Sequence, residues 1–444
     1  MPAEHDPRFP YRNELELPVI GLEAEFKVFI DDKEVAPEDI WRTPAAFIDR
    51  PLLKRTTKSS QLPTGGAVYF DGGVLEVVTP VIEIAPQCTG RVVRSLWEQI
   101  GFVRDQLDRW ESRTAKRVRL QAYSCHFNIS FELGREERNR NRTIQKIALL
   151  LAYLLPVPII VTAANRRSTG IGVRPRRDRI EITLDFTPDP GLMSAAAAMI
   201  VGVVRDVITW KSYRVEELEK RDIPLIDRVK PGKHPMRNGW VLRDYHFAQN
   251  PFTSDPSTPI WPTHDGKRSL RDIALASALA FRDSIHRYSD PFSFRLLFSV
   301  LHGETPSLLD LADRPAAYDD VGRSTRWGAV LPELQNFSAL TGKRRISDVE
   351  ALAPPWRGER LDRRRHARGG DRRKGTPPHS PRLTRSLYEK VFVKLGSRKQ
   401  LRIGDEILTP VAVKGWYHSV FVNRKGEERL LSIDQILQAG ANWM

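Results

Sequence analysis

Ile20-Gly21-Leu22-Glu23-Ala24-Glu25-Phe26-Lys27-Val28 is apolar or small at positions 20, 22, 24, 26 and 28, with Glu23 and Glu25 alternating between them. Successive side chains of a strand point to opposite faces, so one face of this segment packs while the other carries two carboxylates about 7 Å apart. The same alternation recurs at Ser124-Cys125-His126-Phe127-Asn128-Ile129-Ser130-Phe131, where Cys125, Phe127, Ile129 and Phe131 oppose His126, Asn128 and Ser130. It recurs again at Arg179-Ile180-Glu181-Ile182-Thr183-Leu184-Asp185, with Glu181, Thr183 and Asp185 opposed to the aliphatics. A fourth segment, Gly72-Gly73-Val74-Leu75-Glu76-Val77-Val78-Thr79-Pro80, is apolar on both faces except for Glu76.

One solvated face of an antiparallel sheet would account for any one alternating strand. Four such strands argue for more. Glu76 has no solvated face to occupy, and a lone carboxylate in an apolar strand is costly to bury unless it is paired or metal-bound. Hard oxygen donors with one imidazole suit Mg²⁺ or Mn²⁺ holding nucleotide phosphates.

Around these strands the sequence mixes strands and helices without the strict alternation of a doubly wound fold. Arg91 to Trp110 is an amphipathic helix, with Val92, Leu96, Ile100, Val103, Leu107 and Trp110 at spacings of three and four. Further helices are expected at 192–220, 270–285 and 292–301. Ile147 to Ala164 carries no charged residue and imitates a membrane span in length. Pro156 and Pro158 interrupt it, so it reads as a buried helix (Thr143 to Leu155) running into a buried strand (Ile159 to Thr162). No membrane partner is expected.

The chain has 444 residues, 41% hydrophobic and 28% charged, as in a soluble globular protein. Cys88 and Cys125 are its only cysteines, too few for a disulfide framework or a zinc cluster, which suits a reducing cytoplasm. Cys125 falls on an apolar strand face and reads as core. The formal charge of +15 is concentrated: eleven Lys/Arg between Arg357 and Arg385 face only Glu359, Asp362 and Asp371, giving +8. That stretch, within Pro354 to Ser386, is nearly devoid of apolar residues and reads as a basic flexible linker. Beyond it, 387–444 regains strand character at Lys390–Val393, Ile407–Leu408, Val411–Val413 and Ser419–Val422, with a short helix at Ile433–Gln438. The expected organisation is a catalytic domain over 14–353, the linker over 354–386 and a small β-rich C-terminal module over 387–444.

Gly21-Leu22-Glu23-Ala24-Glu25-Phe26 resembles the opening G-x-E-x-E-F strand of the bacterial glutamate–cysteine ligase and carboxylate–amine ligase family, related in fold to glutamine synthetase. Gly73 to Pro80 is similar to that family's second metal-bearing strand, ending E-x-x-T-P. His126-Phe127-Asn128 stands where the family has a His-x-His strand. Asn165 to Arg174, with Thr169-Gly170, resembles the loop that follows. Arg179-Ile180-Glu181 through Asp185 and Asp189, then the alanine-rich helix, is similar to its R-x-E-x-R-x-x-D segment. The segments run in the family's order over roughly residues 18 to 210. Two positions depart from the pattern: Asn128 replaces the second His, and Thr183 stands in place of an Arg.

The resemblance implies an α+β fold, a curved mainly antiparallel sheet with helices on its outer face, cradling ATP and Mg²⁺ (or Mn²⁺). It implies Glu23, Glu25, Glu76 and Glu181 as metal ligands with His126, and places His126, Asn128, Ser130, Arg166 and Arg167 toward the nucleotide. Glu76, Arg174 and Arg179 would face the reacting phosphoryl group. The activity implied is ATP-dependent amide bond formation through an acyl phosphate, with small-molecule carboxylate and amine substrates, amino acids among the candidates. Two alternatives stay open: phosphoryl transfer on the same fold, and a non-catalytic shell that binds nucleic acid through residues 357–385. His234, His246 and His264 show no metal-ligand spacing and read as surface residues. Tyr245, Phe247, Phe252 and Trp261 would form either a substrate lid or a packed loop.

Overall fold

The computed structural model describes residues 15–56, 58–131, 141–176, 178–235, 237–323, 385–439 and 442–444. The basic linker expected over 354–386 lies outside the described residues apart from its last two positions, as does the end of the expected catalytic domain, 324–353.

The opening segment is strand β1 (Val19–Ile30), twelve residues whose even positions are buried throughout. A tight turn through Asp31 and Asp32, both at positive φ, leads into β2 (Lys33–Val35). Short strands β3 (Leu53–Lys54) and β4 (Ser59–Gln61) precede the hairpin of β5 (Ala67–Asp71) and β6 (Val74–Val78). Gly72 and Gly73, at φ 58° and 87°, make the two-residue turn of that hairpin, as left-handed backbone requires. After β7 (Ile82–Glu83) come the long β8 (Val118–Ser130), then β9 (Gly170–Pro175) and β10 (Arg179–Asp185), with β11 (Gly232–Lys233) and β12 (Trp240–Arg243). Paired neighbours run β3-β4-β5-β6-β1-β8-β10-β9-β12-β11, each pairing antiparallel.

A β-bulge sets the faces. β1 is apolar at even positions along its whole length, whereas β8 switches from Val118, Leu120 and Ala122 to Cys125, Phe127 and Ile129. The register accommodates the switch by pairing Glu25 with Ser124 and Phe26 with Ala122, skipping the exposed Tyr123. Such a bulge re-aims the strand that carries it. Here it keeps both apolar sets on one face and brings Ser124, His126 and Asn128 onto the other.

Helices cover the apolar face. The amphipathic stretch forms Cys88–Thr114, longer than the expected 91–110. It packs its apolar positions into the same cluster as β1, β8 and the helix Pro190–Val207. Trp97 meets Phe186 at 5.5 Å between ring centroids, and Phe186 meets Phe26 at 5.2 Å. Each such side chain contributes about 1.5–3 kcal/mol when withdrawn from water.

Several local expectations are corrected. The helix expected to reach 220 ends at Val207, and one further turn forms at Glu216–Glu219. The chain turns there so that Trp210 can stack on Phe281 and donate to Asp206 at 2.8 Å. The helix expected over 270–285 breaks at Phe281 into Leu270–Ala280 and Arg282–Tyr288. Ile159–Thr162 is not a strand but lies in a second helix, Pro156–Ala163, bent 51° from the helix before it. Pro156 sits at the first helical position, where its missing N–H costs nothing, so the proline marks a bend and a restart. That bent pair and Pro190–Val207 are apolar enough to cross a membrane by length, yet 89% of the latter's window is buried inside the protein.

In the C-terminal module, Lys390–Val393 is part of the helix Leu387–Gly396 and not a strand. A capping box at Ser386 and Glu389 starts that helix, outweighing the β propensity of Val-Phe-Val. The strands β13 (Leu401–Ile403), β14 (Glu406–Lys414), β15 (His418–Val422) and β16 (Glu428–Ser432) follow, then the expected helix Ile433–Gln438. (A small hairpin, Trp261–Thr263 with Gly266–Arg268, stands apart and carries no label.) The module shares a hydrophobic cluster with Val19, Leu53 and Val81, and Ala412 pairs with Lys54 in the one parallel contact among the described strands.

Candidate active site

On the polar face the strand register lines up three rungs. The first runs Tyr69, Glu76, Glu25, Ser124, Asp185 from β5 to β10. The second runs Glu23, His126, Thr183, Gly172, and the third Gly21, Asn128, Glu181, Arg174. Residues that stand about a hundred positions apart in sequence thus share one patch, because β1 lies between β6 and β8.

His126 and Ser124 bond to the carboxylates beside them. His126 Nδ1 lies 3.1 Å from Glu23 Oε2, and its Nε2 lies 3.7 Å from Glu25 Oε1. The Ser124 hydroxyl donates to Glu25, and Tyr69 and Glu25 flank Glu76 from the two strands paired with its own. Glu76 is 3% exposed, as the apolar surroundings of its strand suggested.

Three carboxylates this close cannot all be ionised without a counter-charge. Burial above all pushes the Glu76 carboxyl up to about 9; the Tyr69 hydroxyl opposes it, and the negative charges of Glu25 and Glu23 add to it. The Glu76 carboxyl therefore favours its protonated form at neutral pH. Burial also pushes Glu23 upward, but the hydrogen bond and charge of His126 and the guanidiniums of Arg179 and Arg176 outweigh it, leaving Glu23 below the usual carboxylate range. Tyr69 is driven well above the ordinary phenol range by burial and by Glu23 and Glu76.

The third rung is basic. Glu181, 1% exposed, is held by the guanidiniums of Arg174 and Arg176, the latter at 2.7 Å. Arg174 is itself buried, and burial with the charges of Arg176 and Arg237 lowers it to about 10. Arg179 donates through Nε to Asn128 Oδ1 at 2.9 Å and through Nη1 to Asp178 at 2.9 Å. Among the described residues, the Nδ2 amide of buried Asn128 meets no hydrogen-bond partner. Ser130 accepts from the Val19 N–H at 2.7 Å.

Of the residues expected at the site, the register therefore assembles Glu23, Glu25, Glu76, His126, Asn128, Glu181, Arg174 and Arg179. Arg166 is instead tied to the Leu311 and Thr253 carbonyls, at 2.7 and 3.1 Å, and Arg167 is exposed. Among the described residues, neither bonds to the acidic cluster. Their loop is shaped by Asn165, which bonds Asp185, and not by a ligand set. Asp189 caps the helix Pro190–Val207 by accepting from the Gly191 and Leu192 N–H groups at 2.7 and 3.3 Å. Thr79 accepts from the Leu22 N–H at 3.0 Å, so the T-P ending of its strand is architectural. Phe247, Phe252 and Trp261 are buried and packed, whereas Tyr245 is 71% exposed and lies against the His246 ring. His234 and His246 accept backbone N–H groups of Arg237 and Arg243, at 3.0 and 2.9 Å.

Tyr69 and Ser124 were missed. Each had a signal: Tyr69 alternates with buried Val68 and Phe70, and Ser124 shares the parity of His126. Also missed was a small cleft lined by Glu23, Asn128, Ser130 and Arg179 on one side and by Trp416 and Tyr417 of the C-terminal module on the other. No pattern in residues 415–417 announces that contact.

For a divalent cation, the donor chemistry fits: Glu23, Glu25 and Glu76 offer hard oxygens from adjacent strands, and their mutual repulsion calls for positive charge. As arranged here, however, these groups lie against His126, Ser124, Tyr69 and one another. Among the described residues, no three His, Cys, Asp or Glu side chains are grouped to hold a metal ion.

A scan against protein-family models finds no match, and neither does a comparison with curated proteins. Among solved structures, the chain is similar to the Pup ligase PafA in complex with the prokaryotic ubiquitin-like protein Pup. Identity is 12% and the TM-score 0.44, over 96% of this chain and 92% of that one. It is also similar to PafA in complex with ADP, at 12% identity and TM-score 0.41, over 91% and 93%. At this distance the likeness assigns neither fold nor function, which rest on the strands and side chains above.

Proposed function

We propose that this protein is an ATP-dependent carboxylate–amine ligase that works through an acyl phosphate. The supporting observation is the polar sheet face itself, where Glu23, Glu25 and buried Glu76 share paired strands and adjoin a guanidinium cluster. Negative charge at one end suits a divalent cation, and positive charge at the other suits phosphate and carboxylate oxygens.

In this reading Glu23, Glu25 and Glu76 would hold Mg²⁺ or Mn²⁺, which would supply charge neutralisation of the triphosphate. Glu76 would serve as a ligand in its deprotonated form. His126 orients Glu23 through its Nδ1 contact, and Ser124 fixes the rotamer of Glu25. Arg179 and the unpartnered Asn128 amide donate to anionic oxygens entering the cleft they line. Arg174 and Arg176, already paired with Glu181, lend positive potential from beneath.

The bond changes are conventional. A substrate carboxylate oxygen attacks the γ-phosphorus, and the bond to the β-phosphate oxygen breaks, releasing ADP. An amine nitrogen then attacks the acyl carbon and loses a proton, while the carbon–oxygen bond breaks and inorganic phosphate leaves. Asn128 and Thr183 change the donors at two positions where the resembled family has His and Arg, which points to a substrate different from that family's.

The test is amine-dependent ATP turnover screened over amino acids, small amines and peptides, with hydroxylamine present to trap the acyl phosphate as a hydroxamate. Hydroxamate formation that is lost in Glu76→Gln is the expected result. A stable phosphorylated product and no hydroxamate would favour phosphoryl transfer, and undiminished turnover in Glu76→Gln would remove the acidic cluster from catalysis.

A further inference from the structure

The turn between β14 and β15 reaches from the C-terminal module to the edge of the proposed site. Gly415, at φ 59°, lets the chain reverse there, and Trp416 and Tyr417 follow it. Arg55 holds the turn in place: its guanidinium lies 4.0 Å above the Trp416 ring and donates to the Gly415 carbonyl at 2.9 Å. Tyr417 then donates its hydroxyl to Asp178, a partner 239 positions away in sequence.

Asp178 lies in the turn between β9 and β10, which is closed by the Arg176 N–H on the Arg179 carbonyl at 2.8 Å. The same Asp178 carboxylate accepts from Arg179 Nη1, and Arg179 Nε in turn binds Asn128 Oδ1, each at 2.9 Å. The side chains form an unbroken series from Tyr417 through Asp178 and Arg179 to Asn128. Arg179 is 37% exposed at its side chain, so bonds at both ends are what confine its long, rotamer-rich chain.

We propose that Tyr417 is a positioning residue: through Asp178 it fixes the Arg179 guanidinium toward the cleft, so that the C-terminal module completes the anion-binding end of the site. The proposal rests on the reading of Arg179 as an anion donor. It gives the module a definite part in ligand binding beyond packing.

Docking of the module does not depend on this bond. Tyr388 N–H donates to Glu83 at 2.9 Å, Arg94 pairs with Glu389 at 3.1 Å, and Arg385 pairs with Glu98. Phenylalanine at 417 keeps the ring and removes one hydroxyl, leaving those contacts intact.

The experiment compares full-length wild type, Tyr417→Phe, Asp178→Asn, Arg179→Gln and the double variant Tyr417→Phe/Arg179→Gln. Lys425→Ala, in the exposed turn at the far end of β15, is the control. MgADP binding by calorimetry and backbone hydrogen exchange across the 176–180 turn are the two readouts. Loss of a charge-assisted bond predicts about tenfold weaker MgADP binding in Tyr417→Phe. No further loss is expected when Arg179 is already Gln, because the relay has then lost its end. Turn amides should exchange several-fold faster in Tyr417→Phe, with or without ligand. Equal weakening in both backgrounds would mean a merely structural role and overturn the proposal, as would unchanged turn exchange. Should the wild type bind no MgADP, the ligase reading fails, while the exchange readout still decides whether Tyr417 orders the turn.

Discussion

Glu76→Gln separates catalysis from stability at one position. At pH 7 the folded protein keeps a proton on Glu76, raised to about 9, which the unfolded chain, with its usual value of 4.5, has released. Between those values the native state binds the extra proton, so stability falls as pH rises through this window and levels off above about 9. Each pH unit costs about 1.4 kcal/mol, which makes the penalty ~3 kcal/mol at pH 7 and ~6 kcal/mol at pH 9. Glutamine has the shape and hydrogen-bonding capacity of the protonated carboxyl. It never ionises, so it escapes the penalty.

The variant should therefore be as stable as wild type near pH 4.5, more stable by ~3 kcal/mol at pH 7, and more stable still at pH 9. Urea midpoints taken across that range measure the difference, provided the slope of unfolding is unchanged. Turnover should be abolished in the same protein, and stabilisation by Mg²⁺ with ATP, expected for wild type, should be absent. A stability difference that does not grow with pH would refute the raised Glu76 carboxyl. A variant less stable than wild type at pH 8 would show that Glu76 is ionised and already satisfied by some other positive charge.

Three other outcomes follow from the same contacts. Because a cation must displace the Glu76 proton, Mn²⁺ affinity in the presence of ATP should rise about tenfold per pH unit from 7 to 9 and flatten above; a pH-independent affinity measured by calorimetry would contradict that exchange. Asp189→Ala removes the acceptor of two buried N–H groups at a helix start and should cost ~1–2 kcal/mol in chemical denaturation without altering KM; a change in KM at intact stability would instead give Asp189 a part in binding. At Gly172, a Cβ would press well inside van der Waals contact on the Thr183 hydroxyl, so Gly172→Ala should destabilise by ~1–3 kcal/mol, and Thr183→Ala in the same chain should restore most of it in thermal melts.

What could be read in the sequence was whatever depends on strand periodicity. A period of two assigns each residue to a face without knowledge of its neighbours, so Glu23, Glu25, His126, Asn128 and Glu181 could be placed on polar faces before any pairing was known. Pairing itself obeys long-range register, and β1 sits between two strands, β6 and β8, that both follow it far along the sequence. That is why the partners of each carboxylate were not legible, and why Glu181, grouped by type with the other glutamates, proves to be enclosed by Arg174 and Arg176. Residue type misled most where local propensity competes with tertiary demand. Ile159–Thr162 and Val391–Val393 are rich in β-formers, yet a proline at one helix start and a capping box at the other place both in helices. Arginines in a loop look alike in sequence. Only the carbonyls of Leu311 and Thr253, contributed from distant segments, distinguish Arg166 as a strut from Arg179 as a group facing the cleft. The same logic makes the C-terminal module part of the site: its strands are legible locally, but the reach of Tyr417 to Asp178 exists only once the Val19, Leu53 and Val81 side chains have docked it.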